Sequence, residues 1–454
     1  MASAAALVRA SSGCSGEVAA GPSGDAGPEA TIADARLDRS APEEEASYPT
    51  PFEGWDLYPD YDPRCEFYVP RSAAYLPPPI KWEPCRSNPE TATKACRQMV
   101  FDWDPPKSSP RQWTTPGVDA IRSSNGRINL MTARAVDGDR IRFVADVDGP
   151  VHMAIRQKFS PRCALAETWS DGDYYAYAVY DSEAKGELSS YGGGAIGGRI
   201  GDLRPKTLKH YHDDVSRGFI TGNPGLLELA LGKMTLNSWV DGSVKTQVWS
   251  SAQDDGLGQN FMFFHGPALL WQSNTEVFHK LKVFTEAEGT KDLIGNTTDF
   301  TVGTADIGSD GKVLVWLEGS SRPQSNGVFP NVAIVTSPYT TDPTKLQRRV
   351  LRTDVSGYGF ATGPFKVGCG YAARVGFLKV GADLAQGTML IRLSDGAVWK
   401  LPDGPTADWG WRFPLAVTCD EIFVRVADTP PGNASHHFNV ARVRIDSLGT
   451  PTPP

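Results

Sequence analysis

Residues 300–354 read FTVGTADIGSDGKVLVWLEGSSRPQSNGVFPNVAIVTSPYTTDPTKLQRRVLRTD. Four short apolar runs stand in this stretch, at Phe300–Gly303, Lys312–Glu318, Asn331–Ser337 and Gln347–Arg352. Val, Ile and Trp dominate them, and Asp310-Gly311 and Ser337-Pro338 break the chain between them. β-Branched and aromatic runs bounded by such dipeptides predict strands joined by turns. Four antiparallel strands form one small sheet that cannot bury both faces alone, so it needs copies of itself as neighbours.

Looser copies follow along the chain. Residues 359–401 hold apolar runs at Gly359–Val367, Ala372–Phe377, Met389–Leu393 and Ala397–Leu401, and another unit runs from Trp411 to Ile445. Starts near Gly218, Phe261, Phe300, Gly359 and Trp411 recur every forty to sixty residues or so, a spacing that suits a propeller blade with variable loops. Nearer the N-terminus, Arg127–Arg134, Arg140–Asp146, Pro150–Arg156, Cys163–Trp169 and Asp173–Tyr180 read as strands. The predicted fold class is all-β, a β-propeller of about seven blades of four antiparallel strands, with a large β-sandwich or barrel as the alternative.

Composition agrees with a large folded body. The 454 residues include 12 Trp, 46 Gly and 35 Pro, which argues for a packed core with many turns. The net charge of −8 is unevenly placed. Residues 15–50 carry Glu17, Asp25, Glu29, Asp34, Asp38, Glu43, Glu44 and Glu45 against Arg36 and Arg39. That segment has almost nothing apolar to bury and reads as a disordered acidic linker. The rest is nearly neutral and has no basic stripe, which argues against nucleic acid as a partner.

Seven cysteines are present: Cys14, Cys65, Cys85, Cys96, Cys163, Cys369 and Cys419. No CxxC spacing occurs, so zinc and redox motifs are unsupported. With Cys14 set aside, the remaining six can form three disulfides, as an exported protein would show; six buried thiols are the other reading. Cys369 and Cys419 end equivalent runs in adjacent units, which makes them the first pair expected to bond.

The segment around Cys14 resembles the junction of bacterial envelope lipoprotein precursors, with small residues before the cysteine and a polar acidic tail after it. Ser11 stands where that family usually has Leu, and the apolar run is only Ala4–Val8. The resemblance implies lipidation at Cys14 and a cell-envelope or secreted location. The domain reading is therefore a degenerate signal region at 1–14, the linker at 15–50, a cysteine-stapled segment packed on the body at 51–115, and the propeller body at 116–450.

Candidate chemistry is sparse. His210 and His212 lie two apart, on one face if the segment is a strand, and with Asp214 they could hold a metal. The run resembles the HxHxDH motif of metallo-β-lactamase-like hydrolases, but Val215 stands at the last His, and a polar loop reads equally from the same residues. His436-His437 would point to opposite faces of a strand and cannot chelate one ion there. Ser189–Asp202 reads as a glycine-rich connecting loop without the order of a phosphate-binding fingerprint. Asp310-Gly311 ahead of Trp316 and Asp395-Gly396 ahead of Trp399 read as hairpin turns followed by a core Trp. The functional expectation is an exported, monomeric binding or structural protein that takes a carbohydrate or protein ligand without a cofactor and meets the membrane only through a lipid anchor. The alternative is a secreted propeller-type enzyme acting on glycans.

Overall fold

The computed structural model describes residues 53–453 apart from 59–64, 86–95, 101–118, 123–127, 137–138, 158–163, 171–173, 181–192, 210–216, 222–224, 231–232, 241–242, 251–261, 266–267, 274–279, 286, 295–301, 321–327, 359–364, 381–382, 402–412 and 428–437. The readings of residues 1–14 and 15–50 lie outside the described residues. Nearly every described element is a strand; the helical pieces are three-residue 3-10 turns at Ala73–Tyr75, Pro343–Lys345 and Ile445–Ser447. No described helix is long and apolar enough to cross a membrane. The all-β expectation holds.

The stretch quoted first forms a meander of Val302–Ser309, Val313–Ser320, Val328–Pro338 and Arg349–Tyr358, each antiparallel to the next. Its first strand is longer than the apolar run suggests, because Thr304 to Ser309 are mostly small or polar yet pair with the buried second strand. Ile307 there is fully buried. Gly308 is required for a different reason: a Cβ at that position would lie 2.2 Å from the carbonyl oxygen of Phe365, in the following unit. The Asp310-Gly311 turn is held by its own side chains. Asp310 Oδ1 accepts from the backbone N–H of Lys312 at 3.0 Å and of Val313 at 3.1 Å, and Gly311 takes φ +81°. Trp316 is fully buried and donates from Nε1 to Glu318 Oε1 at 2.9 Å. Arg348 Nε reaches both oxygens of that carboxylate, at 2.9 and 2.7 Å.

Among the described residues the strands form six sheets, of six, four, four, four, eight and five strands. Three of them are simple four-stranded meanders, beginning at Ala164, Arg217 and Met262. The eight-stranded sheet contains the unit above together with Lys366–Gly368, Tyr371–Val380, Asp383–Arg392 and Val398–Lys400, joined through Val355↔Leu378 and Ser356↔Phe377. Of the unit placed at Gly359, residues 359–364 lie outside the described residues, and its first described strand is Lys366–Gly368. One expectation is corrected here. Within Ser189–Asp202, read as a loop, Gly193–Arg199 is a strand pairing residue by residue with Tyr174–Tyr180. Tyr175 and Tyr177 on that partner are fully buried, so tertiary pairing overrides the weak strand propensity of glycine.

The segment at 51–115 does more than pack on the body. Trp55–Leu57 and Phe67–Pro70 extend the first sheet beyond Val151–Gln157. Lys81–Pro84 and Cys96–Val100 extend the last sheet, which otherwise consists of Phe413–Val417, Glu421–Ala427 and Phe438–Arg444. In that junction Ala441 lies opposite Gln98 and Val443 opposite Cys96, so N-terminal strands complete a sheet begun by C-terminal ones.

The cores lie between neighbouring sheets. Leu270, Leu281 and Val283 pack with Leu314, Trp316 and Val335, while Leu390 and Trp399 pack with Ile422, Val424 and Val443. The first and last sheets share a core too, in which Ile141, Phe143 and Ala154 meet Met99, Phe423 and Val440. Among the described residues, neighbouring sheets thus supply the burial that a lone four-stranded meander cannot give itself.

Candidate functional site

The register of the last sheet assembles a cluster of charges at one end of it. Glu421 lies opposite Arg444, Phe423 opposite Arg442, and Arg442 opposite Arg97. Directly opposed residues share a face. Phe423 turns into the core and meets Trp82 edge-on, with ring centroids 6.3 Å apart. The Arg442 guanidinium lies over the Trp82 ring, 4.9 Å from its centroid, and donates to Asp148 Oδ1 at 2.5 Å. Trp82 Nε1 donates to the carbonyl of Val147 at 2.7 Å. Asp148 and Val147 belong to the turn between the strands Asp139–Asp146 and Val151–Gln157, so these contacts tie the last sheet to the first.

The turn before Glu421 is fixed by its backbone. Thr418 N–H donates to the carbonyl of Glu421 at 2.8 Å, and Thr418 Oγ1 accepts from Glu421 N–H at 3.0 Å. Ile445 N–H donates to the Asp420 carbonyl at 2.8 Å. The side chains of Asp420 and Glu421 are consequently left to face a cleft of about 830 Å³. Its far wall is Tyr371 and Trp399, whose rings are 6.1 Å apart. Trp399 donates from Nε1 to the Gly449 carbonyl at 2.9 Å, and Arg392 covers its ring at 5.4 Å.

Electrostatics distinguish the groups in this cleft. Arg444 is paired with Asp446, its Nε donating to Oδ1 at 3.1 Å. Burial pushes the Glu421 carboxyl above the usual glutamate range; Arg442 opposes this, and the nearby Asp148 reinforces it. A half-buried carboxyl displaced in this way is a candidate for receiving a cation or exchanging a proton.

The cysteines fall as follows. Cys369 and Cys419 are joined, with Cα atoms 5.0 Å apart, and their bond links a turn of the eight-stranded sheet to a turn of the last sheet beside the cleft. Cys85 and Cys96 are joined across the Lys81–Pro84/Cys96–Val100 hairpin, with Cα atoms 5.5 Å apart. Cys65 is buried and disulfide-bonded. Cys14, Cys163, His210, His212, Asp214 and the His436-His437 pair lie outside the described residues. Among the described residues no group of three or more His, Cys, Asp or Glu is arranged to hold a metal. Sequence reasoning passed over Arg97, Asp148, Asp420, Glu421, Arg442 and Arg444. Alternation was the available signal: Arg442-Val443-Arg444 on a strand places two guanidiniums on one face and a core residue on the other.

No family model matches the chain, and neither does any curated protein. Solved structures do resemble it at low identity. The β-propeller domain of the Trilobed protease from Pyrococcus furiosus is 8% identical over 76% of this chain and 96% of that one, with a TM-score of 0.43. A putative TolB from Agrobacterium tumefaciens is 11% identical over 58% of this chain and 87% of that one, with a TM-score of 0.32. The tricorn protease is 11% identical over 75% of this chain, with a TM-score of 0.30, and the match spans only 30% of the protease.

Proposed function

We propose that this chain is an exported β-propeller of seven four-stranded units, working as a monomeric binding scaffold whose ligand enters the cleft beside the last sheet. Counting the eight-stranded sheet as two units supports seven. Completion of the last sheet by Cys96–Val100, with a core shared between first and last sheets, supports a closed ring of face-packed sheets. The Cys85–Cys96 and Cys369–Cys419 bonds support an oxidising compartment, and Cys14 is the proposed lipid attachment point. No cofactor is invoked.

The observation that carries the binding role is the cleft itself. It is concave, it is lined by charges of both signs and aromatic rings, and its backbone is pinned by turn hydrogen bonds and a neighbouring disulfide. The test is a screen of the immobilised full chain against glycan and peptide arrays, with an Arg97→Ala/Asp420→Asn variant alongside. A ligand whose signal falls at least about tenfold in the variant supports the reading. Finding none that responds to the variant defeats it.

A second reading, an enzyme acting on glycans, draws on the raised Glu421 carboxyl. It predicts release of reducing ends from some polysaccharide, abolished by Glu421→Gln.

A further inference from the structure

The charges in the cleft do not all satisfy one another. Arg442 is engaged with Asp148 and Trp82, and Arg444 with Asp446. Three charged side chains are left over. Among the described residues, the exposed Arg97 guanidinium and the exposed Asp420 carboxylate make no ion pair. Glu421 has only a 3.5 Å approach to Arg442 Nε, and that nitrogen is itself buried without a hydrogen-bond partner. The half-buried Glu421 carboxylate is thus held by an ion pair at 3.5 Å without a hydrogen bond, and a closer donor in the cleft would strengthen its pairing.

The aromatic wall narrows the ligand class. Sugar recognition on an aromatic residue needs an open ring face. Trp399 is only 8% exposed, with Arg392 over its ring and Tyr371 tilted against it. Asp148 and Asp446 are neutralised by Arg442 and Arg444, so Asp420 and Glu421 against the single Arg97 leave the cleft slightly acidic, which disfavours a polyanion. What remains complementary is a ligand carrying a strong donor cation for Asp420 and Glu421 and a carboxylate for Arg97.

Building on the binding-scaffold reading, we propose that the cleft receives a polypeptide segment bearing adjacent basic and acidic side chains. A lysine or arginine enters between Asp420 and Glu421, and its acidic neighbour pairs with Arg97. The cation gives Glu421 the hydrogen-bond donor that its 3.5 Å pair with Arg442 does not provide.

The experiment is calorimetric titration of the full chain with acetylated, amidated peptides of alternating Lys-Glu, of Lys-Gly and of Glu-Gly, and with a neutral oligosaccharide. The expected order is Lys-Glu tightest, Lys-Gly weaker and Glu-Gly undetectable. Glu421→Gln and Asp420→Asn should each weaken Lys-Glu binding by about tenfold, and Arg97→Ala should erase the difference between Lys-Glu and Lys-Gly. Lys345→Ala, on an exposed turn outside the cleft lining, should change nothing. Thermal melts of each variant confirm that it is folded. Lys-Glu binding that is indifferent to Glu421→Gln overturns the proposal. Cleft-dependent binding of the oligosaccharide alone also overturns it, while leaving the scaffold reading intact. If no probe, and no ligand from the array screen, responds to the cleft variants, both fall.

Discussion

Replacing Trp82 by alanine tests whether the N-terminal hairpin is part of the fold or an accessory to it. Trp82 belongs to the outermost strand of the last sheet, yet it makes three distinct interactions. Its Nε1 donates to the Val147 carbonyl at 2.7 Å, its ring meets Phe423 edge-on, and the Arg442 guanidinium lies over it. The hydrogen bond is worth about 1 kcal/mol, the aromatic pair about 0.5–1.5 and the cation–π contact about 1–2, since the Arg442 side chain is largely desolvated. Lost burial of a partly exposed ring adds about 1 kcal/mol, less than for a fully buried Trp. Trp82→Ala should therefore cost about 3.5–5.5 kcal/mol, and Trp82→Phe, which keeps most ring packing and loses the donor, about 1–2. Urea unfolding followed by circular dichroism measures both, provided the slope with denaturant is unchanged. An alanine variant destabilised by less than about 1 kcal/mol would refute the account in which residues 81–100 complete the last sheet, because these contacts exist only if the hairpin docks there.

Three further outcomes follow from the geometry. The Cys369–Cys419 bond closes a loop of 50 residues, so Cys369→Ser/Cys419→Ser should lose about 4 kcal/mol by loop-entropy reasoning, against about 3 for Cys85–Cys96 with its separation of 11; mass spectrometry of unreduced, alkylated protein should leave all four sulfurs unlabelled. Glu318→Ala strips the buried Trp316 Nε1–H of its acceptor and should cost about 2–3 kcal/mol, whereas Glu318→Gln keeps that acceptor and should cost less than half as much in the same unfolding assay. The Asp395 carboxyl is held down to about 2, first by the Arg392 guanidinium and then by the Ala397 N–H. A carboxylate depressed in the folded state adds stability above its unfolded pKa, about 4, and loses it as pH falls toward 2. The stability gap between wild type and Asp395→Asn should therefore be constant above about pH 5 and shrink below pH 4; a gap that does not shrink would contradict it.

What the chain specified locally was legible without coordinates. Alternating Val, Ile and Trp runs with Asp-Gly between them mark strands and turns, since side-chain period and turn chemistry are short-range properties. The burial of Trp316 and Trp399 after such turns follows from the same pattern. So does the Cys369–Cys419 pair, because a repeat puts equivalent positions of adjacent units side by side. Strands poor in apolar residues escaped, as at Thr304–Ser309 and Gly193–Arg199, where pairing with an already buried partner supplies the stabilisation that the residues themselves lack.

The joining of the chain's two ends was decided only by tertiary structure. Nothing local to Cys96–Val100 says that it will lie against Phe438–Arg444, more than three hundred residues away, since backbone pairing carries no sequence address. The cleft inherits that dependence. Arg97, Asp148, Glu421 and Arg442 come from four separate strands and turns; Arg97 joins the others because Cys96–Val100 pairs with the last sheet, and Asp148 because the first sheet packs against it. The sequence by itself determined that the chain would form repeated, turn-punctuated strands; which strands complete the last sheet, and which charges face one another there, depend on contacts made once the sheets have packed.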